Sequence, residues 1–301
     1  MKTLILHRNL IFHIISLLNY HFLIITNTFK DEDLKLTKEM IAYIEEKGGT
    51  AKALLSNSQK ESNQDVPIEG IPKNTECIFV LGGDGTLIRA ATKVKELGVP
   101  LIGVNLGTLG YLCELEENTV FPAIDCLMKD DYLAEERMML TGFQEKKAKA
   151  RVALNDIVIH RTKELSILSL HVYVNGEFLS TYHADGIIVA TPTGSTGYNM
   201  SAGGPIVDPK ANMILLTPIN AHNLNSKSIV LAPDSEIEIE IATRRAEKDE
   251  HATVSFDGDA ITELGVGDRF VIARANSTTK ICKLSKKSFL EILRKKMESY
   301  T

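Results

Sequence analysis

The sequence predicts an N-terminal α/β domain followed by a β-rich C-terminal domain of packed, sandwich-like antiparallel sheets. Three observations lead there. Over the first 137 residues, short apolar runs end in glycine-rich turns and open into amphipathic helical patterns, the alternation expected of a parallel sheet. After about residue 138, short β-type runs follow one another instead, many with alternating polarity. Hydrophobic residues are 44% of 301, enough apolar material for about two domains of roughly 150 residues each.

Composition removes several classes. With 24% charged residues, 20 Gly and 9 Pro, the chain is not disordered, collagenous or membrane-spanning. Its 34 basic and 39 acidic residues leave −5, which argues against a nucleic-acid protein working through a broad basic face. A small phosphorylated ligand at one local site remains open. Cys77, Cys113, Cys126 and Cys282 form no Cys-x-x-Cys pair and no zinc-finger spacing, and read as buried free thiols in a reducing, cytoplasmic setting. Residues 10–18 look like the apolar part of a signal peptide, but His13 and Ser16 interrupt the run and no small-residue cleavage site follows. Residues 1–21 are therefore read as an extension outside the fold.

Residues 22–26 (FLIIT) read as a buried strand, and residues 33–47 as a helix with Leu34, Met40, Ile41 and Ile44 on one face and Gly48-Gly49 as its stop. Residues 56–76 read as a loop. A strand over 77–81 runs into Gly-Gly-Asp-Gly-Thr at 82–86 and a helix over 87–97. A strand over 99–104 runs into Asn105-Leu-Gly107-Thr-Leu-Gly110, and 119–129 is helical. In the second half, β-type runs cover 151–160, 166–174, 178–183, 186–191, 228–232, 237–242 and 253–256. Asn175-Gly176 between two of them is a strong hairpin signal. A basic amphipathic helix over 285–297 closes the chain. The domains expected are 22–137, joined by the helix at 285–301, and 138–284.

Three motifs carry chemistry. At 82–86, glycines at the C-terminal end of a strand let backbone approach an anion, and the N–H groups of the helix start attract phosphate. A carboxylate does not bind phosphate, so Asp84 serves either as general base for an incoming hydroxyl or as ligand to a phosphate-bound Mg²⁺. The helix-start amides are expected to hold it ionised. Alone, Gly-Gly-Asp-Gly is also a plain turn. The stretch 191–205 packs five Ser/Thr hydroxyls, Tyr198 and four glycines behind a strand, a surface suited to ribose and phosphate edges. Asn155 and Asp156 are polar residues in an apolar strand, costly unless paired, and read as a ligand-facing pair; Asp185, in His183-Ala-Asp185-Gly186, turns the chain or holds a ligand hydroxyl. His160, His171 and His222 are read as structural.

Together, Gly82-Gly-Asp-Gly-Thr86, Gly103-Val-Asn-Leu-Gly-Thr-Leu-Gly110, Asn155-Asp156 and the 191–205 segment resemble the NAD kinases in order and spacing. Glu136-Arg137-Met-Met-Leu140, His222-Asn-Leu-Asn-Ser226 and Phe256-Asp-Gly258 match as well. The likeness covers about residues 22–297. It implies the NAD kinase-like two-domain fold and phosphoryl transfer from ATP, with a divalent cation (Mg or Mn), to the 2′-hydroxyl of the adenosine ribose of NAD. It implies a homodimer or homotetramer. By position, Asp84 resembles the base, Gly85 its neighbour in the phosphate loop, and Arg89 the cation near the phosphates. Asn155 and Asp156 resemble dinucleotide contacts, as do His183, Asp185, Thr196, Gly197, Tyr198, Asn199, Met200 and Ser201; no residue is assigned to a protein-held metal. Asp156 stands where that family more often has Glu, and Gly197 where Ala is commoner. A diacylglycerol-type lipid kinase would share only the first motif. A catalytically silent dinucleotide-binding regulator would gain nothing from Asp84 beside a phosphate. Inorganic polyphosphate in place of ATP, NADH in place of NAD, and feedback by NADP(H) stay open.

Overall fold

The protein is described here from a computed structural model. It describes residues 20–56, 71–72, 74–107, 110–145, 150–162, 167–222, 226–243, 250–284 and 288–298. Most of the expected extension at 1–21 lies outside these residues, as do most of the expected loop at 56–76, Thr108-Leu109 of the second glycine motif, residues 223–225 and the first residues of the closing helix. The chain divides into two compact units, residues 1–135 with 280–301, and residues 136–279.

The first unit is α/β. Strands β1 (His21–Asn27), β2 (Thr50–Ser56), β3 (Cys77–Gly82) and β4 (Leu101–Asn105) pair in parallel in the order β4-β3-β1-β2, and the short β5 (Leu115–Glu116) pairs with β4. Every residue of β3 and β4 is buried, which explains why both read as continuous apolar runs without alternation. Strand β2 was not expected; its half-exposed TAKALLS pattern carries little apolar signal. Helix α1 (Lys35–Glu46) buries Leu36, Met40 and Ile44 against Phe22, Ile24 and Phe79. Asp31 starts it by accepting from the N–H groups of Leu36 and Thr37, each at 3.0 Å, and from the Thr37 hydroxyl at 2.6 Å. Helix α2 (Asp84–Val94) starts three residues earlier than expected, because Gly83 acts as its N-cap and Asp84 is already helical. Helix α3 (Val120–Leu127) packs Val120, Ile124 and Leu127 into the same core.

The second unit is β-rich: β6 (Leu133–Gln144, its first residues in the first unit), β7 (Arg151–Ala153), β8 (Asp156–Arg161), β9 (Leu168–Val174), β10 (Glu177–Ala184), β11 (Gly186–Ala190), β12 (Ile214–Ile219), β13 (Ile229–Leu231), β14 (Ile237–Ala242), β15 (His251–Phe256), β16 (Asp259–Gly265) and β17 (Arg269–Lys283). One antiparallel array runs β10-β9-β14-β17, and a second sheet runs β13-β12-β11-β8-β15-β16. Both arrays contribute to one core, among them Leu170, Val172, Ile237, Ile239 and Ile241 from the first and Ile157, Ile159, Ile187, Val189 and Val254 from the second. The alternation in β14 is used as expected: its three isoleucines are buried, while Glu238 and Glu240 both pair with Arg269 at 2.8 Å. Asn175 and Gly176 join β9 to β10 with φ of 53° and 79°, the left-handed pair of a tight hairpin turn.

The last residues of β17 return to the first unit, where Ile281 pairs with Leu101 of β4, and helix α4 (Phe289–Glu298) follows. All four cysteines are free, but only Cys77 and Cys282 are buried, their sulfurs 3.7 Å apart; Cys113 and Cys126 are half-buried, contrary to the expectation for all four.

Candidate active site

In the first unit, β3 delivers the Gly-Gly-Asp-Gly-Thr turn at its C-terminal end, where ligands bind parallel sheets. The Asp84 carboxylate turns to the segment after the second glycine motif. Tyr111 N–H donates to Oδ2 at 2.6 Å, and the N–H groups of Leu112 and Cys113 donate to Oδ1 at 3.2 Å each. Gly110 makes this seat: a Cβ there would collide with both carboxylate oxygens. Two backbone segments 27 residues apart thus fix one side chain, and Oδ2, with one donor against two on Oδ1, keeps lone-pair capacity for a further proton or hydroxyl. Burial first, and then the Asp84 charge, push the Cys113 thiol up, so it stays protonated beside the carboxylate. Gly85 is exposed with open space around its Cα, and Arg89 is half-buried on α2 with no ion pair among the described residues. At the loop's edge, Asn27 Nδ2 donates to Thr86 Oγ1 at 3.4 Å.

In the second unit, β7 and β8 are not one strand but break at Leu154-Asn155. The cause is Asp257, whose carboxylate accepts N–H groups of Leu154, Asn155 and Asp156 at 2.8, 2.7 and 3.2 Å. Asp257 and Gly258 turn from β15 into β16 with φ of 50° and 88°. The sequence offered a usable signal here, since Asp-Gly between apolar runs marks a tight hairpin, yet nothing local says that its carboxylate caps a segment a hundred residues away. Thr191 closes the seat from the other side: its Oγ1 donates to the Leu154 carbonyl at 2.6 Å and its N–H to the Asn155 carbonyl at 2.8 Å. Gly194 packs so tightly there that a Cβ would strike the Asn155 carbonyl.

Asn155, Asp156 and Tyr198 come together, lining an open cavity of about 420 Å³ with Val158, His160, Ser255, Asp257 and Gly258. Tyr198 is exposed, and the Asn155 Oδ1 is buried with no hydrogen bond among the described residues. Burial, and then the neighbouring Asp257 charge, push Asp156 up to about 7. Asp257 rises only to about 6, because the three amides oppose its burial. His160, read as structural, reaches this cavity, its Nε2 3.3 Å from Ser255 Oγ. Gly197 lies close by: a Cβ there would stand 3.3 Å from the Gly194 carbonyl oxygen, 3.5 Å from Asn155 Nδ2 and 3.8 Å from Asp156 Oδ2, so alanine would require the Gly194 carbonyl to give by a few tenths of an ångström.

The remaining predicted residues do different work. Asn199 is buried and committed to the loop itself, donating to the Ser195 and Pro205 carbonyls and accepting from Thr217 Oγ1 at 2.7 Å. Thr196, Met200 and Ser201 continue that turn, Ser201 exposed. Asp185 accepts from Asn220 Nδ2 at 3.0 Å and faces Arg161 Nε at 3.4 Å. His183 is half-buried, its Nδ1 without a partner among the described residues.

Residues 22–132 match the family described as ATP-NAD kinase N-terminal domain, and residues 154–284 the ATP-NAD kinase C-terminal domain. The NAD kinase of Agathobacter rectalis is 67% identical over 281 residues, spanning 93% of this chain and 99% of that protein. That of Lachnospira eligens is 41% identical, spanning 92% and 99%. Among solved structures, yeast NADH kinase complexed with NADH superposes with a TM-score of 0.80 at 23% identity, covering 93% of this chain and 88% of that one. An NAD kinase from Archaeoglobus fulgidus in complex with ATP superposes with a TM-score of 0.71 at 22% identity, covering 92% and 99%.

Proposed function

The chain belongs to the NAD kinase family, whose members are phosphotransferases, and from that premise we propose that Asp84 is the general base of the transfer. The single observation that supports this role is the seat of its carboxylate, fixed by three amides and by the missing Cβ of Gly110. Asp84 takes the proton of the adenosine 2′-hydroxyl of NAD as the ribose oxygen attacks the terminal phosphate of ATP. Transfer of this kind is mostly positioning and charge neutralisation, so no covalent nucleophile is needed. The glycine backbone around Gly83 and Gly85 approaches the donor phosphates, with Arg89 on the following helix as a nearby cation.

Asn155 and Asp156 bind the dinucleotide, Asp156 accepting ribose hydroxyls in its ionised form, and Tyr198 stacks on or hydrogen-bonds to it. His183 and Asp185 supply further contacts, as do Thr196, Gly197, Met200 and Ser201, while Asn199 keeps their loop in shape. Among the described residues no group of three or more His, Cys, Asp or Glu converges on a metal position. A divalent cation, Mg or Mn, would come on the donor's own phosphates, and no step here passes through it. Inorganic polyphosphate is the alternative donor. We place the enzyme in the cytoplasm as a homodimer or homotetramer; among the described residues no helix is long and apolar enough to cross a membrane.

The test is NADP formation by the purified protein with NAD, ATP and Mg²⁺, beside Asp84→Asn. Turnover by the wild type with a loss of about 100-fold or more in the variant is the expected result. Equal rates would remove Asp84 from the role of base, and no NADP from either ATP or polyphosphate would overturn the kinase reading.

A further inference from the structure

Lys30 lies outside both glycine motifs, yet the fold spends several interactions on placing it. It sits in the turn between β1 and α1. The Asn27 carbonyl accepts the N–H groups of Lys30 and Asp31 at 3.0 and 3.1 Å, and Asn27 Oδ1 accepts that of Phe29 at 3.0 Å. Asn27 also reaches Thr86 in the glycine turn, while Asp31 anchors the other end of the turn to α1. Held at both ends, the turn lays the Lys30 side chain across both glycine motifs. Its Nζ is 3.0 Å from the point a Cβ on Gly83 would occupy and 3.2 Å from the corresponding point at Gly107. Side chains at either glycine would crowd the ammonium.

This ammonium has no carboxylate partner among the described residues. Its charge, with that of Lys283, opposes the upward push on the Cys113 thiol. An exposed lysine ordinarily keeps its side-chain entropy unless an ion pair repays the loss. Here the ammonium lies beside the side-chain-free backbone of Gly83 and Gly107, where a phosphate could approach it.

We propose that Lys30 is a further catalytic residue, its ammonium binding the transferring phosphate of the donor's polyphosphate chain above Gly83 and Gly107. The proposal rests on the kinase reading of the same site. In the transfer, the acceptor O–H gives its proton to Asp84 and its oxygen forms the new P–O bond. The bond from the terminal phosphorus to its bridging oxygen breaks, and the electron pair leaves on the nucleoside diphosphate. Lys30 stays protonated and offsets the charge on the moving group, which an ammonium does as a point charge.

The test compares Lys30→Met, Lys30→Arg and Arg89→Met with the wild type, measuring kcat and KM for ATP and for NAD separately. Binding of inorganic tripolyphosphate by calorimetry gives a readout independent of turnover. A charge-assisted contact of this kind is worth about 10- to 100-fold. Lys30→Met is expected to lose that much in kcat/KM for ATP and in tripolyphosphate affinity, with KM for NAD within about twofold. Its thermal midpoint is unchanged, and Lys30→Arg recovers part of the loss. Wild-type values in Lys30→Met overturn the proposal, as does a loss seen in Arg89→Met but not in Lys30→Met. If the wild type makes no NADP from any donor, the kinase reading fails separately. The titration still decides Lys30: unchanged affinity in Lys30→Met overturns its phosphate contact, and lost affinity supports it.

Discussion

Replacing Asp156 with asparagine removes the one carboxyl whose ionisation the second unit most resists. The residue is 5% exposed, faces the Asp257 carboxylate, and is pushed from 3.8 up to about 7. Below pH 3.8 folded and unfolded chains both hold the proton, and this group makes no difference between wild type and variant. From there to about pH 7 only the folded chain keeps it. The unfolded state has the lower proton affinity, so stability falls as pH rises, at about 1.4 kcal/mol per pH unit. Above pH 7 the folded wild type carries the full penalty, roughly 4 kcal/mol from these values and about 2–4 once water at the open mouth of the cavity is allowed for. Asparagine has nearly the same shape and no charge. Asp156→Asn is therefore expected to match wild type near pH 4 and to gain stability progressively, unfolding on the order of 5–10 °C higher at pH 8. The assay is the thermal midpoint from pH 4 to 8 followed by fluorescence. In parallel, KM for NAD is expected to rise about tenfold at pH 8, because the ribose hydroxyls lose a charged acceptor. A stability gain independent of pH, or a loss at pH 8, would refute the reasoning about burial of this carboxyl.

Two further substitutions test the seats of the site residues. Asp257→Ala orphans three amides at Leu154, Asn155 and Asp156; a loss of about 2–4 kcal/mol in urea unfolding is expected. Because Asp156 then ionises more easily, the fall in KM for NAD with rising pH should move to lower pH, which steady-state profiles would show. Gly110→Ala displaces the Asp84 carboxylate while leaving the core of the first unit untouched. Its kcat is expected to fall at least about 100-fold with a thermal midpoint within a few degrees of wild type, and a near-normal kcat would mean that the seat is not what orients Asp84.

Much of the architecture and part of the site were legible in the sequence, because the signals concerned are local. The buried run of β3, the turn at 82–86 and the amphipathic α2 lie side by side in the chain, so this strand–turn–helix unit could be read from eighteen consecutive residues. The Asn175-Gly176 hairpin and the Ile237, Ile239, Ile241 alternation depend only on neighbours within a few positions. Strand β12 passed unseen although all six of its residues are buried, since burial on both faces erases the alternation and Pro218 argues against a strand. Pro218 is tolerated because it lies beyond the last residue that β13 pairs, Leu216.

What the chain determined by itself was which residue types occupy the loops: a carboxylate among glycines at 82–86, an Asn-Asp pair at 155–156, hydroxyls and glycines at 191–205. What the tertiary structure decided was their surroundings. The Asp84 amides come from 27 to 29 residues downstream, and those of Leu154, Asn155 and Asp156 find their acceptor 101 to 103 residues away. The raised pKa of Asp156 follows from a carboxylate and a desolvation that exist only once β8 and β15 are paired. Periodicity and propensity act over a few residues, whereas hydrogen-bond seats, burial and charge coupling depend on distances in space that folding alone creates.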